Sequence, residues 1–97
     1  MPIYVSLMKL TDQGIKNIKD APNRIQEGIK GLEAMGGKLI GFYLVMGDYD
    51  YVGIAEAPSD EIVAAFMLGL GAGGNIRTKT LRAFDTAQFS QIVGKLP

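Results

Sequence analysis

The segment Lys38–Met46 contains Leu39, Ile40, Phe42, Tyr43, Leu44, Val45 and Met46, apolar or aromatic at positions of both parities. Successive side chains of a β-strand point to opposite faces, so a strand of this composition needs cover on both. A single helical layer supplies only one. This segment therefore constrains the fold twice: it belongs in a sheet, and the second face of that sheet is expected against something else.

The neighbouring segments supply the rest of such a sheet. Ile3, Val5 and Leu7 alternate with Tyr4, Ser6 and Met8, which predicts a strand over Ile3–Leu10. Thr11 follows as an N-cap, with Asp12 where the helix dipole favours negative charge and Leu10 placed to staple onto Ile15. Ile15, Ile18, Pro22, Ile25, Ile29 and Leu32 form one apolar stripe, interrupted at Pro22. The reading is a short helix over Asp12–Lys19, a break at Asp20-Ala21, and a main helix from Pro22 to Met35 ended by Gly36-Gly37. Gly47-Asp48 predicts a tight hairpin turn into a strand over Tyr49–Ala57. Ser59 caps a helix over Ile62–Leu70 that is apolar nearly all round and expected to be buried on most sides. Asn75–Phe84 predicts a fourth strand. Asp85 with Gln88 predicts a capping box for a final short helix, with Phe84 against Phe89 as a staple.

The order β-α-β-β-α-β plus a C-terminal helix predicts one α+β domain over residues 1–97, a ferredoxin-like plait with two helices on one face of four antiparallel strands. Tyr4, Met8 and one parity of the second strand are then expected on the other face. So much apolar sheet surface is rarely left in water. Two sheets packed face to face would cover it, giving a dimeric α+β barrel. The expected partner is thus a second copy, as a homodimer or higher homo-oligomer.

Composition narrows the chemistry. With 97 residues the chain is one domain; it carries ten acidic and ten basic residues and no Cys, His or Trp. Zero Cys removes disulfides, thiolate metal sites and cysteine nucleophiles. Zero His removes the commonest general base and transition-metal ligand. Balanced charge gives no drive toward nucleic acid or anionic membranes. The longest apolar run, Ile62–Leu68, is far short of the ~20 residues of a membrane span, and the start Met1-Pro2-Ile3 lacks a secretory pattern, so a cytoplasmic protein is expected. No metal and no cofactor are expected.

Few residues could carry chemistry. Asp50 and Glu56 stand at the two ends of an apolar strand near Tyr43 and Tyr49; a carboxylate beside a phenol could act as a base or anchor a ligand, or simply be solvated. In the fourth strand Thr78, Thr80 and Arg82 share one parity. With Leu81 and Ala83 toward the helices, these three join Tyr4 and Ser6 as a polar patch on the inter-sheet side, either a site for a small apolar ligand or ordinary edge protection or interface pairing. Gly69-Leu70-Gly71-Ala72-Gly73-Gly74 spells G-x-G-x-x-G, but it follows a helix and precedes a strand, the reverse of a dinucleotide site, and reads as a helix stop.

Thr11-Asp12-Gln13-Gly14, Gly36-Gly37-Lys38, Gly47-Asp48-Tyr49-Asp50, Glu56-Ala57-Pro58 and Arg77–Phe84, in this order, resemble the GYD-domain family of small bacterial and archaeal proteins. The resemblance runs from the first strand to Phe89. It implies a ferredoxin-like α+β fold and no established activity; Gly47, Tyr49 and Asp50 match the name-giving motif without an implied catalytic role. Three functions stand at this point. The first is an oligomeric module binding a small molecule within the barrel. The second is a cofactor-free enzyme resembling dimeric α+β-barrel oxygenases and isomerases. The third is a purely structural oligomerisation module.

Overall fold

Period-two patterning makes Ile3–Leu10 a strand, β1, and Thr11 turns the chain into α1, Asp12–Lys16. The Thr11 hydroxyl accepts the Gly14 N–H at 3.1 Å, satisfying one of the orphan donors of the first turn. A 3-10 turn over Ile18–Asp20 replaces the end of the expected first helix and leads into α2, Ala21–Ala34. Pro22 lies in the first turn of α2, where no intrahelical partner is lost. Gly36 (φ +89°) reverses the chain into β2, Lys38–Leu44. The remaining elements are β3, Tyr51–Glu56; α3, Asp60–Ala72; β4, Ile76–Ala83; and α4, Thr86–Val93. The computed structural model describes all residues 1–97.

The four strands form one antiparallel sheet in the order β2-β3-β1-β4, with α2 and α3 on one face: a ferredoxin-like α+β plait. The β2–β3 connection is a loop over 45–50 rather than a tight turn. It is closed by the Val45 N–H donating to the Asp50 carbonyl at 2.8 Å, with Gly47 at φ +107°. β2 is an edge strand whose register shifts between Leu39 and Gly41. Leu39 and Phe42 point under the helices, while Tyr43, paired with Val52, is exposed on the other face, so one face of this doubly apolar strand lies open.

The faces of the sheet are opposite to those expected. Tyr4 (5% exposed), Ser6 and Met8 are buried beneath the helices, and their cross-strand partners Arg82, Thr80 and Thr78 share that side. Leu81, expected under the helices, is on the open face and 49% exposed. Both parities of β1 are apolar, so hydrophobicity alone does not choose. Contacts from outside the strand decide: Tyr4 packs with Ala57 and Val63, and its hydroxyl donates to Asp60 at the start of α3.

The open face therefore carries Ile3, Val5 and Leu7 of β1, Val52 and Ile54 of β3, Leu81 and Ala83 of β4, and Tyr43 of β2. Lys9, Lys38, Glu56, Arg77 and Lys79 rim it. On the other side, α2 and α3 meet where Gly28 and Gly31 face Leu70 and Phe66. Between this helix pair and the sheet remains a cavity of about 770 Å³. α3 is less buried than its composition suggests: only Val63 is fully buried, and Leu68 is exposed.

α4 departs from the plait. Asp85 and Gln88 form the expected capping box, the Asp85 carboxylate accepting the Gln88 N–H at 2.8 Å and the Gln88 side chain accepting the Asp85 N–H at 2.9 Å. Yet α4 buries none of its residues. Phe89 (62% exposed), Ile92 and Val93 repeat at three- and four-residue spacing along one side, and Leu96 (68% exposed) follows past its end.

Candidate functional site

The polar row expected from the sequence is assembled, on the helix side. Antiparallel register sets Tyr4 opposite Arg82, Ser6 opposite Thr80 and Met8 opposite Thr78. The Ser6 and Thr80 hydroxyls are 3.0 Å apart, and Ser6 also donates to the Met67 sulfur of α3 at 3.9 Å. The Arg82 guanidinium lies over two rings, 5.7 Å from the centre of Tyr4 and 4.6 Å from that of Phe84, in cation–π geometry. Asp60, in the first turn of α3, is the further member of the row. Its carboxylate accepts the Tyr4 hydroxyl, which raises the phenol's pKa; burial and the Asp60 charge add to the rise, and Arg82 opposes it. A phenol held protonated is a donor at neutral pH and a poor proton acceptor. This row fastens β1 to α3 and β4.

The four acid–base candidates do not converge. Asp50, just before β3, and Glu56, its last residue, lie six residues apart, roughly 20 Å at strand rise. The Asp50 carboxylate accepts the Leu10 N–H at 2.8 Å, while its own N–H donates to the Met8 carbonyl at 2.9 Å. It clasps the end of β1. Tyr49 sits in the loop beneath the Lys9 ammonium, 5.6 Å from the ring centre. Tyr43 lies on the open face with its ring against Gly41, where any added Cβ would come within 2.9 Å of it. Glu56 is at the rim, opposite Lys38 and Ile3. Gly47, Tyr49 and Asp50 thus form a connected clasp at one corner of the sheet. No group of three or more acidic residues is gathered as a metal site, and no helix is long and apolar enough to cross a membrane.

A second clasp accounts for two further motifs. Thr11 donates its hydroxyl to the Gly74 carbonyl at 2.5 Å and its N–H to the Asn75 carbonyl at 2.9 Å. The Gln13 amide donates to the Gly73 carbonyl and to the Asn75 side chain, each at 3.1 Å. Gly14 is buried directly against this loop. The Gly69–Gly74 segment ends α3, and its last residues are held by the Thr11–Gly14 turn.

What is left unpartnered is the open sheet face and the apolar side of α4. A short amphipathic helix gains its stability from tertiary packing, and eight residues alone are marginal in water. These surfaces can bind, and the strands bring only one carboxylate to the open face, that of Glu56 at its rim.

The GYD domain profile matches residues 4–93. A relative from Thermus thermophilus, named glutamine synthetase and cystathionine beta-lyase binding protein, is 38% identical over 88 residues, covering 90% of this chain and 93% of its own length.

Proposed function

This chain belongs to the GYD domain family, and from that membership we propose that it is a self-pairing binding module that engages other proteins. The observation that carries the reading is the open sheet face, with Val5, Leu7, Val52, Ile54 and Leu81 at its centre and charged residues around it. An apolar centre with a polar rim is the ordinary anatomy of a protein interface. A second copy brings the same surface, and two sheets stacked about 10 Å apart bury both. With the sheets so occupied, the side of α4 carrying Phe89, Ile92 and Val93 is the part available to grip a client. The relative's name states two enzymes that it binds, and this supports a client of that kind here.

The small-molecule reading of the inter-sheet space loses its anchors, because Tyr4, Ser6, Thr78, Thr80 and Arg82 face the helices. The separation of Asp50 from Glu56 likewise gives the enzymatic reading no shared centre.

Sedimentation velocity of the parent and of Ile54→Lys tests the pairing, and calorimetric titration against purified glutamine synthetase and cystathionine beta-lyase tests the client. The expected results are a dimeric parent, a monomeric variant and binding to at least one of the enzymes. A parent that is monomeric at every concentration and inert toward both would overturn the proposal.

A further inference from the structure

The sheet ends on two free edges, and they differ. β2 is blunted: its register shifts between Leu39 and Gly41, and Ile40 at the shift is 52% exposed. An irregularity of this kind hinders pairing with a further strand. β4 has no such guard. All eight of its residues pair with β1 without a shift, from Ala83 opposite Ile3 to Ile76 opposite Leu10. No strand lies beyond it. Apart from the Arg82 guanidinium on the Ala83 carbonyl, no group outside β1 bonds its backbone. Alternate residues of such a strand turn an N–H and a carbonyl outward, unpaired. Two sheets stacked face to face leave this edge open.

Charge states what fits there. β4 carries Arg77, Lys79 and Arg82 and no acidic residue. Arg82 is engaged on the Tyr4 and Phe84 rings. Arg77 and Lys79 are exposed, beside the exposed Lys9 that pairs with Arg77 across the strands. The chain's one ion pair joins Lys30 to Glu27, so these three cations have no carboxylate within ion-pair distance. A second copy is a poor occupant. Two β4 strands edge to edge bring only cations, and like charges across a strand pair are destabilising. What repels a second copy attracts a strand of opposite charge.

From the regular free edge and its uncompensated cations we infer that β4 takes up an extended acidic segment of a client protein as a fifth strand, its carboxylates beside Arg77 and Lys79. The inference rests on the client-binding reading above and adds the place and the chemistry. Main-chain bonds hold the segment, and the cations select it. At its other end β4 runs through Phe84 and Asp85 into α4, so one client can engage both.

The probes are a capped octapeptide of alternating Glu and Val, its counterpart with Lys for Glu, and two N-methyl isomers of the first, one methylated at every Glu amide and one at every Val amide. An extended strand turns these two sets of amides to opposite edges, so pairing with β4 uses only one set. Each is titrated into the full chain at neutral pH and followed by backbone amide shifts and hydrogen exchange. The Glu peptide is expected to shift residues 76–83, to slow exchange of alternate amides there, and to bind about tenfold more tightly than the Lys peptide. One N-methyl isomer is expected to keep this affinity and the other to lose it. Arg77→Glu with Lys79→Glu, both at exposed positions, is expected to reverse the preference to the Lys peptide. The inference is overturned if the Glu peptide leaves β4 unshifted or if both N-methyl isomers bind as tightly as the unmethylated peptide. It is also overturned if a short oligothymidylate shifts Arg77 and Lys79 at lower concentration, which would mark a nucleic-acid surface. The peptide comparisons need no variant, so they decide the matter even where the double substitution does not fold. Binding of glutamine synthetase or cystathionine beta-lyase without peptide shifts in β4 would overturn this inference and leave the client reading standing.

Discussion

At the scale of single residues, the side chains that look most chemical are engaged in holding the chain together. The Tyr4 phenol has a raised pKa chiefly because it donates to Asp60. The sign of the consequence follows. A group whose folded-state pKa exceeds its unfolded value near 10 favours folding fully below that value, and the contribution is lost as pH rises through the raised one. Resistance to urea is therefore expected to fall above about pH 10, and to fall less in Tyr4→Phe. Parallel stability curves for parent and variant across that alkaline range would contradict the assignment. Gly14 offers a sharper steric test. A Cβ there would lie 2.1 Å from the Asn75 carbonyl oxygen, the atom that accepts the Thr11 N–H. Gly14→Ala is expected to lower the denaturation free energy by about 1–3 kcal/mol, the usual cost of overpacking. An unchanged urea midpoint would mean that the 73–75 loop yields freely.

At the scale of elements, what the sequence made legible was local and what it hid was relational. Thr11, Ser59 and Asp85 each cap the helix expected of them, because a cap is a contact between residues three apart. Strand order followed from connectivity. The face of β1 did not, because Ile3-Val5-Leu7 and Tyr4-Ser6-Met8 are both apolar enough for a core. Leu81 and Arg82 were exchanged for the same reason: β4 inherits its facing from β1 through their shared register. The Tyr4–Asp60 bond spans 56 residues and leaves no local trace. The isolation of α4 changes what its cap controls. Asp85→Ala is expected to cost about 0.5–2 kcal/mol of helix stability. Since α4 buries nothing, the loss should appear as faster amide exchange over 86–93 while the strands keep their protection. Faster exchange in β1 or β4 would show that α4 supports the sheet.

At the scale of the whole molecule, an uncovered apolar sheet face implies stability that depends on company. Pairing stabilises only the folded chain, so the thermal midpoint is expected to rise with protein concentration, and to stop doing so in Ile54→Lys. A midpoint constant over a hundredfold dilution of the parent, roughly 2.7 kcal/mol in mass action, would argue for a self-sufficient monomer. The capping box at Asp85 has a consequence of another kind. A helix that carries its own start signal and owes the β-layer no buried residue is a detachable handle. Swapping Thr86–Val93 for another amphipathic segment would redirect what the molecule holds while leaving its chassis untouched.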